Sequence, residues 1–374
     1  MRKCTYTEYY LRENTIYMSG NQIKTSGLLA NFLVLVFASV FQFSCSSTNY
    51  LTLSVAEPAP AYLPVSIKRI GIIDQTLPHD QTKNLDNLDK VLTAEGKNLD
   101  KDGAEEAVKA LAVEIGKNPQ FNMVKIISNA DIRSPGMGIF PAPLKWQTVE
   151  QICKDNQVEA LFVLSFYDTD TKIDYAVIPV ELTGPLGVKI PGAEHQATIR
   201  TVIKTGWRIY DMPNRMIRDE FVVHENLVQS ARGLTPVQAV QAIMGRKEAV
   251  MQISRQLGQR YSYRIQPFYV RVRRNYFVRG TDNFRVAMRR AQTGNWNGAA
   301  ELWNREVNNP KAKVAGRATY NMAIISEING DLNAAIDWAS RSYSDYNNKL
   351  ALDYLKILRH RMAKNEQIRR ETQE

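Results

Sequence analysis

The sequence predicts a mixed-sheet α/β domain with helices laid on the sheet, followed by an all-α domain of helical repeats. Three observations carry this expectation. Between residues 65 and 280, short apolar strands alternate with segments of helical period. From residue 281 onward the strand patterns stop, and a twelve-residue motif recurs at an offset of 36. The 374 residues are 44% hydrophobic and 23% charged, enough for two packed domains of roughly 150 residues or more. The same figures exclude a mainly disordered chain. With only 3 Cys a disulfide scaffold is excluded too, and a single long apolar run excludes a polytopic membrane protein. A formal net charge of +10 admits an anionic partner without specifying one.

The first domain is expected over residues 65–280. Ile67–Ile73 forms a short apolar strand bounded by Pro64 and Pro78. Residues 102–116 put Ala104, Val108, Leu111 and Ile115 on one helical face, with Asp102 and Glu105 as a capping box. A second strand covers Phe121–Ile127, and a second helix Leu144–Asn156 repeats Trp146, Val149 and Ile152 at helical spacing. Val158–Tyr167 is nearly continuous in apolar residues, as a central strand covered on both faces would be. His195–Asp211 alternates, turns at Met212-Pro213-Asn214, and returns as Arg215–Glu225. Thr235 and Pro236 open one long helix carrying Val240, Ile243, Val250, Ile253 and Leu257. A last strand, Ile265–Val272, closes the domain. This element order resembles small bacterial envelope domains of the TolB N-terminal and curli-secretion-accessory type.

The N-terminus points to secretion. Residues 28–43 (LLANFLVLVFASVFQF) follow Lys24 and precede Ser44-Cys45, the pattern of a signal segment too short to span a bilayer. The first 17 residues suit no signal n-region, so translation is expected to begin at Met18 and the signal peptide to end at residue 44. Ser44-Cys45 resembles a bacterial lipobox, with Gln42 where that family prefers Leu. The resemblance implies a lipidated Cys45, a membrane anchor and an outer-membrane location facing periplasm or exterior. Residues 45–64, rich in Ser, Thr and Pro, are then expected to be a flexible tether.

Residues 281–374 carry the repeat. Gly294-Asn-Trp-Asn-Gly-Ala-Ala-Glu-Leu-Trp-Asn-Arg305 aligns with Gly330-Asp-Leu-Asn-Ala-Ala-Ile-Asp-Trp-Ala-Ser-Arg341. The pattern resembles tetratricopeptide repeats, with Gly294 and Gly330 at the inter-helix turn, Trp296 and Leu332 just after it, and Ala299 and Ala335 where helices pack closest. The offset of 36 departs from that family's 34 by two residues, which the NNPKAKVAG segment can absorb. Asp282–Gln292 is the first helix of the first copy, and Leu350–Arg359 a capping helix before a polar tail. The whole layout resembles a group of Bacteroidota lipoproteins that supplies no catalytic residues to transfer.

No constellation of nucleophile, base and orienting group stands out. The EF-hand-like run Asn98-Leu-Asp100-Lys-Asp102-Gly103 has Lys109 where a calcium ligand belongs, so no metal is expected there, nor any cofactor. Cys153 sits on a helical face and reads as a buried, inert thiol. Asp168, Asp170 and Asp174 at a strand end give the enzymatic alternative, a hydrolase of cell-wall or glycan polymer. The strongest unusual feature is basic. Nine Arg lie between Arg260 and Arg290, interleaved with Tyr261, Tyr263, Phe268, Tyr269, Tyr276 and Phe277. Secretion disfavours nucleic acid, and two readings stay open: an edge strand whose charged outward face guards against aggregation, or a surface of Arg271, Arg273, Arg274 and Arg279 for an anionic envelope partner such as lipid headgroups or an acidic protein. The aromatic residues, Tyr269 and Phe277 among them, are expected to pack inward. The functional expectation is a non-enzymatic envelope lipoprotein that binds other proteins, with no small-molecule substrate.

Overall fold

In the computed structural model the described residues are 47–76, 99–128, 132, 139–183, 187, 189–243 and 245–373. The expected signal peptide, the Met18 start and Cys45 lie outside them.

A five-stranded mixed sheet forms the first body. Its strands are β2 (Arg69–Asp74), β3 (Met123–Ile127), β4 (Ala160–Thr183), β5 (Lys189–Asp211) and β6 (Met216–Gly233), in the spatial order β3-β2-β4-β5-β6. The first three run parallel and β4, β5 and β6 antiparallel. Helix α1 (Leu99–Ile115) covers one face of the sheet and α2 (Trp146–Asn156) the other. The long helix expected after Thr235 is instead two, α3 (Pro236–Gln241) and α4 (Arg246–Ser262), because Gly245 takes φ +70° between them. Thr235 caps α3 by accepting from the Gln238 amide, as the Thr-Pro pair predicts. The Asp102 capping box is not formed: α1 starts at Leu99, and Asp102 inside it pairs with Lys247 at 2.6 Å.

The core between α1, α4 and the sheet is apolar and close-packed. Ile70, Ile72, Phe162, Trp207 and Tyr261 are fully or almost fully buried, and Trp207 stacks on Tyr261 at 5.1 Å. Helices α1 and α4 approach so closely that a Cβ on Gly258 would meet the Ala107 carbonyl. A bulge in β4 between Leu164 and Phe166 exchanges the faces of the strand. Beyond it Tyr167 faces α4, where its hydroxyl meets Ser254 at 2.6 Å. Strands β4 and β5 also run far past their neighbours. Strand β2 reaches only Leu164's neighbourhood, whereas β4 and β5 stay paired out to Thr183↔Lys189. The sequence reading ended β4 at Tyr167 and so missed this arm.

Two further corrections concern the strands at either end. Residues 48–57 are not a flexible tether but a strand, β1 (Thr48–Glu57). Its partner is β7 (Phe268–Phe277), longer than the Ile265–Val272 strand expected to close the domain, and the two form a separate antiparallel ribbon. The physical reason is the alternation of Leu51, Leu53 and Val55 on β1 with Val270, Val272 and Tyr276 on β7, which gives the ribbon one apolar face. A two-stranded ribbon is marginal alone. This one is buried against helices.

Those helices are α5 (Asp282–Gln292), α6 (Trp296–Asn304), α7 (Ala312–Ile328), α8 (Leu332–Ser344) and α9 (Lys349–Gln373). The expected Leu350–Arg359 helix thus continues through the supposed polar tail. Both inter-helix turns close in the same way. Gly294 and Gly330 each have φ +81°, a left-handed conformation that a side chain would strain. The Asn295 amide donates to the Arg290 carbonyl and the Asp331 amide to that of Ser326, each turning back to the last turn of the preceding helix. Asn295 and Asp331 then cap the next helix, and Ala299 and Ala335 are fully buried beyond them. Trp296 is half-buried and Leu332 buried.

Helix α7 lies at the centre and holds the ribbon. The Phe277 amide donates to Asn321 Oδ1 and Asn321 Nδ2 donates to the Phe277 carbonyl, both at 2.7 Å. One side-chain amide thereby does for the strand edge what a neighbouring strand would do. One turn and a half further on, Glu327 accepts from Arg274 Nε at 2.9 Å and Nη2 at 3.0 Å. It also accepts from the Tyr354 hydroxyl and from Arg361 Nη1, both at 2.6 Å. Burial alone would raise the Glu327 carboxyl, but the donors from Arg274, Tyr354 and Arg361 outweigh it and hold it below the usual range.

A carboxyl depressed in the folded state contributes stability above its unfolded value, near 4.3, which is lost as pH falls through the folded value. Urea unfolding of the wild type at neutral pH and at about pH 3 should reveal that loss. Glu327→Gln should lack this component and cost about 3–5 kcal/mol at neutral pH, since Arg274 and Arg361 are left buried without their anion.

Candidate functional site

Strand parity divides the ribbon into two faces. Leu51, Leu53 and Val55 with Val270, Val272, Arg274 and Tyr276 turn toward the helices. Tyr50, Thr52 and Ser54 with Tyr269, Arg271 and Arg273 turn outward and are exposed. In register, Thr52 sits opposite Arg273 and Ser54 opposite Arg271. The Arg273 guanidinium lies 4.9 Å from the centre of the Tyr50 ring. The outward face is therefore cationic, aromatic and rich in hydroxyls.

The same parity sorts the Arg-rich stretch. Arg260 pairs with Glu225, Arg264 with Asp219, Arg274 with Glu327, Arg285 with Asp282 and Arg290 with Glu301. Among the described residues no carboxylate pairs with Arg271, Arg273 or Arg279. Two expectations fail here. Arg274 is not a surface residue but only 8% exposed, and Tyr269 is not packed inward but 76% exposed. Tyr276 and Phe277 do pack inward, against Trp296 at 5.6 Å and Tyr320 at 5.2 Å, and Phe284 joins them fully buried.

Arg279 lies just past the end of β7, apart from the Arg271–Arg273 pair. Its carbonyl accepts from Arg317 Nη1 at 2.7 Å, and the Val278 amide beside it donates to the Ser47 carbonyl at 3.0 Å. The first described residue is thus pinned to this corner. A groove of about 330 Å³ runs along β1 on the helix side, lined by Leu51, Tyr276, Trp296 and Ile328 among others. Sequence reasoning missed β1 altogether, and with it Tyr50, Thr52, Ser54 and this groove.

The strand-end acids form no such grouping. Asp168, Asp170 and Asp174 project from one open face of β4, where Asp168 meets Lys204 at 3.8 Å and Asp174 meets Arg200 at 2.9 Å. A shallow depression of about 370 Å³ there is lined by Asp170, Lys172, Arg200 and their neighbours on β6. Cys153 is buried, and burial pushes its thiol up to about 12, as expected of an inert residue. Among the described residues no group of three or more His, Cys, Asp or Glu could hold a metal ion.

Residues 67–277 match a family described as a domain of unknown function (DUF8603), and residues 285–360 match a second domain of unknown function (DUF6340). No curated protein matches the chain. Similar solved structures include a PelC dodecamer from Paraburkholderia phytofirmans, 10% identical with a TM-score of 0.24, covering 58% of this chain and 98% of that one. A neuraminyllactose-binding hemagglutinin homolog from Helicobacter pylori is 11% identical with a TM-score of 0.24, covering 56% of this chain and 94% of the other. Overlap at that level supports no argument about fold or function.

Exposure and pairing separate the variants sharply. Arg271→Gln, Arg273→Gln and Tyr269→Ala should each change stability by no more than about 0.5 kcal/mol. Arg274→Gln should cost about 3–5 kcal/mol by stranding Glu327, and Phe277→Ala about 3–5 kcal/mol through the cavity it leaves. Urea-unfolding midpoints of the five proteins check the ordering.

Proposed function

The chain belongs to the DUF8603 family, a domain of unknown function, and we propose that it is a non-enzymatic lipoprotein of the bacterial envelope. In this reading Cys45 carries the lipid anchor and the folded part acts as a scaffold for partner proteins. One observation carries it. Ser47 is already bonded to Val278 and β1 begins at Thr48, so an anchor on Cys45 stands two residues from the fold. Two residues of extended chain reach at most about 7 Å. The outer membrane is the expected location. Among the described residues no helix is long and apolar enough to cross a membrane, and the reading requires none.

The helical part supplies the partner surface. We read α5–α6 and α7–α8 as two tetratricopeptide-like copies, on the identical turns at Gly294 and Gly330 and the buried small residues Ala299 and Ala335. Such helix pairs stack into extended surfaces suited to binding other chains. The groove beside β1 adds a half-buried ring, Trp296, to that surface.

Metabolic labelling with an alkyne fatty acid tests the anchor. The wild type should take up label and fractionate with membranes, and Cys45→Ala should take up none. Equal labelling of the two would remove the lipoprotein reading.

A further inference from the structure

We propose that the outward face of the β1–β7 ribbon lies flat on an anionic phospholipid surface, with Arg271 and Arg273 at the phosphates and Tyr50 and Tyr269 at headgroup level. The proposal rests on the reading of Cys45 as the anchor.

Four observations lead to it. The face carries two cations and no acid: Glu57, the one carboxylate on β1, points to the helix side, where it meets Lys364 at 2.5 Å. No described carboxylate neutralises Arg271 or Arg273, although most of the Arg in this stretch are ion-paired. The face is also adjacent to the anchor, because β1 starts three residues after Cys45 and runs ten residues along the ribbon. At the strand rise of about 3.3 Å per residue, both Arg lie within about 25 Å of the chain's entry point. Finally, the aromatic residues on the face are the type that settles at a membrane–water boundary. Tyr50 is 56% exposed and Tyr269 76% exposed, with no core to fill.

The corner at the anchor adds to the charge. Arg317 lies 5.1 Å from the centre of the Phe277 ring, and burial, then the like charge of Arg279, lowers its pKa. The chemistry also fits what an anchor needs. Acyl chains supply the affinity, and a small basic patch adds orientation and a preference for anionic lipid. A protein held by a loose tether would sample all orientations. A ribbon fixed to α7 and anchored two residues away cannot.

The test uses the acylated full-length protein in vesicles of phosphatidylcholine alone or mixed with phosphatidylglycerol. An environment-sensitive dye is placed at Thr52→Cys, which stands opposite Arg273; Cys153 is buried and does not compete for the label. Flotation with neutral vesicles reports the anchor, and the dye reports the face. The expected result is flotation with both vesicle types and a blue shift in the anionic ones only. Salt should reverse the shift, and R271Q/R273Q should abolish it while flotation persists. A shift of equal size in neutral vesicles, no shift in either, or a shift that survives R271Q/R273Q overturns the proposal. A shift produced by polyglutamate and not by anionic vesicles overturns it as well, in favour of an acidic protein. If the protein fails to float with neutral vesicles, the anchor reading falls first and the membrane geometry with it.

Discussion

Everything about the C-terminal half and the N-terminal strand depends on how α7 holds β7. Asn321 and Glu327 are both buried; Asn321 bonds the backbone of β7 twice, and Glu327 takes two of its four hydrogen bonds from Arg274 of the same strand, in a ribbon that could not stand alone. A buried carboxylate is costly unless it is paired, and here two guanidinium groups and a phenol surround it. The arrangement is specific more than it is strong. An apolar residue at Glu327 could fill space, but only the paired form fixes where Arg274, and therefore the register of β7, must lie.

From that contact the rest follows in chain order. With β7 fixed, β1 is fixed by pairing from Thr48↔Phe277 to Glu57↔Phe268. With β1 fixed, the chain just after Cys45 has one place to enter the fold. The helical part and the mixed sheet are joined through the same strand, since β7 follows α4 and leads into α5. The ribbon is thus both a connector between two bodies and the segment beside the proposed anchor.

Much of this architecture was legible in the sequence. Asp282–Gln292 was bounded correctly because Gly294 needs a left-handed turn and the motif returns at Gly330. Helix α2 and strands β2 and β3 followed from apolar period and proline boundaries. Strand β1 was missed because Ser, Thr and Pro around it suggested a linker, although Leu51, Leu53 and Val55 alternate as a half-buried strand does. The Arg row was misjudged for a related reason. Period two puts Arg274 with Val270 and Val272, and Tyr269 with Arg271, but composition alone does not say which face is covered. The helix break at Gly245 was overlooked although a glycine there can take the left-handed backbone it needs, and the long β4–β5 arm depends on strand pairing that a local pattern does not contain.

The central claim is that the segment following Cys45 is folded and not a tether. Amide hydrogen exchange of the full-length protein tests it directly. The β1 amides that bond to β7 should be protected to nearly the same degree as the buried amides of α7, and should lose that protection together with β7 in Glu327→Gln. Exchange of Leu51 through Val55 at the rate of an unstructured chain, with α7 still protected, would contradict the account.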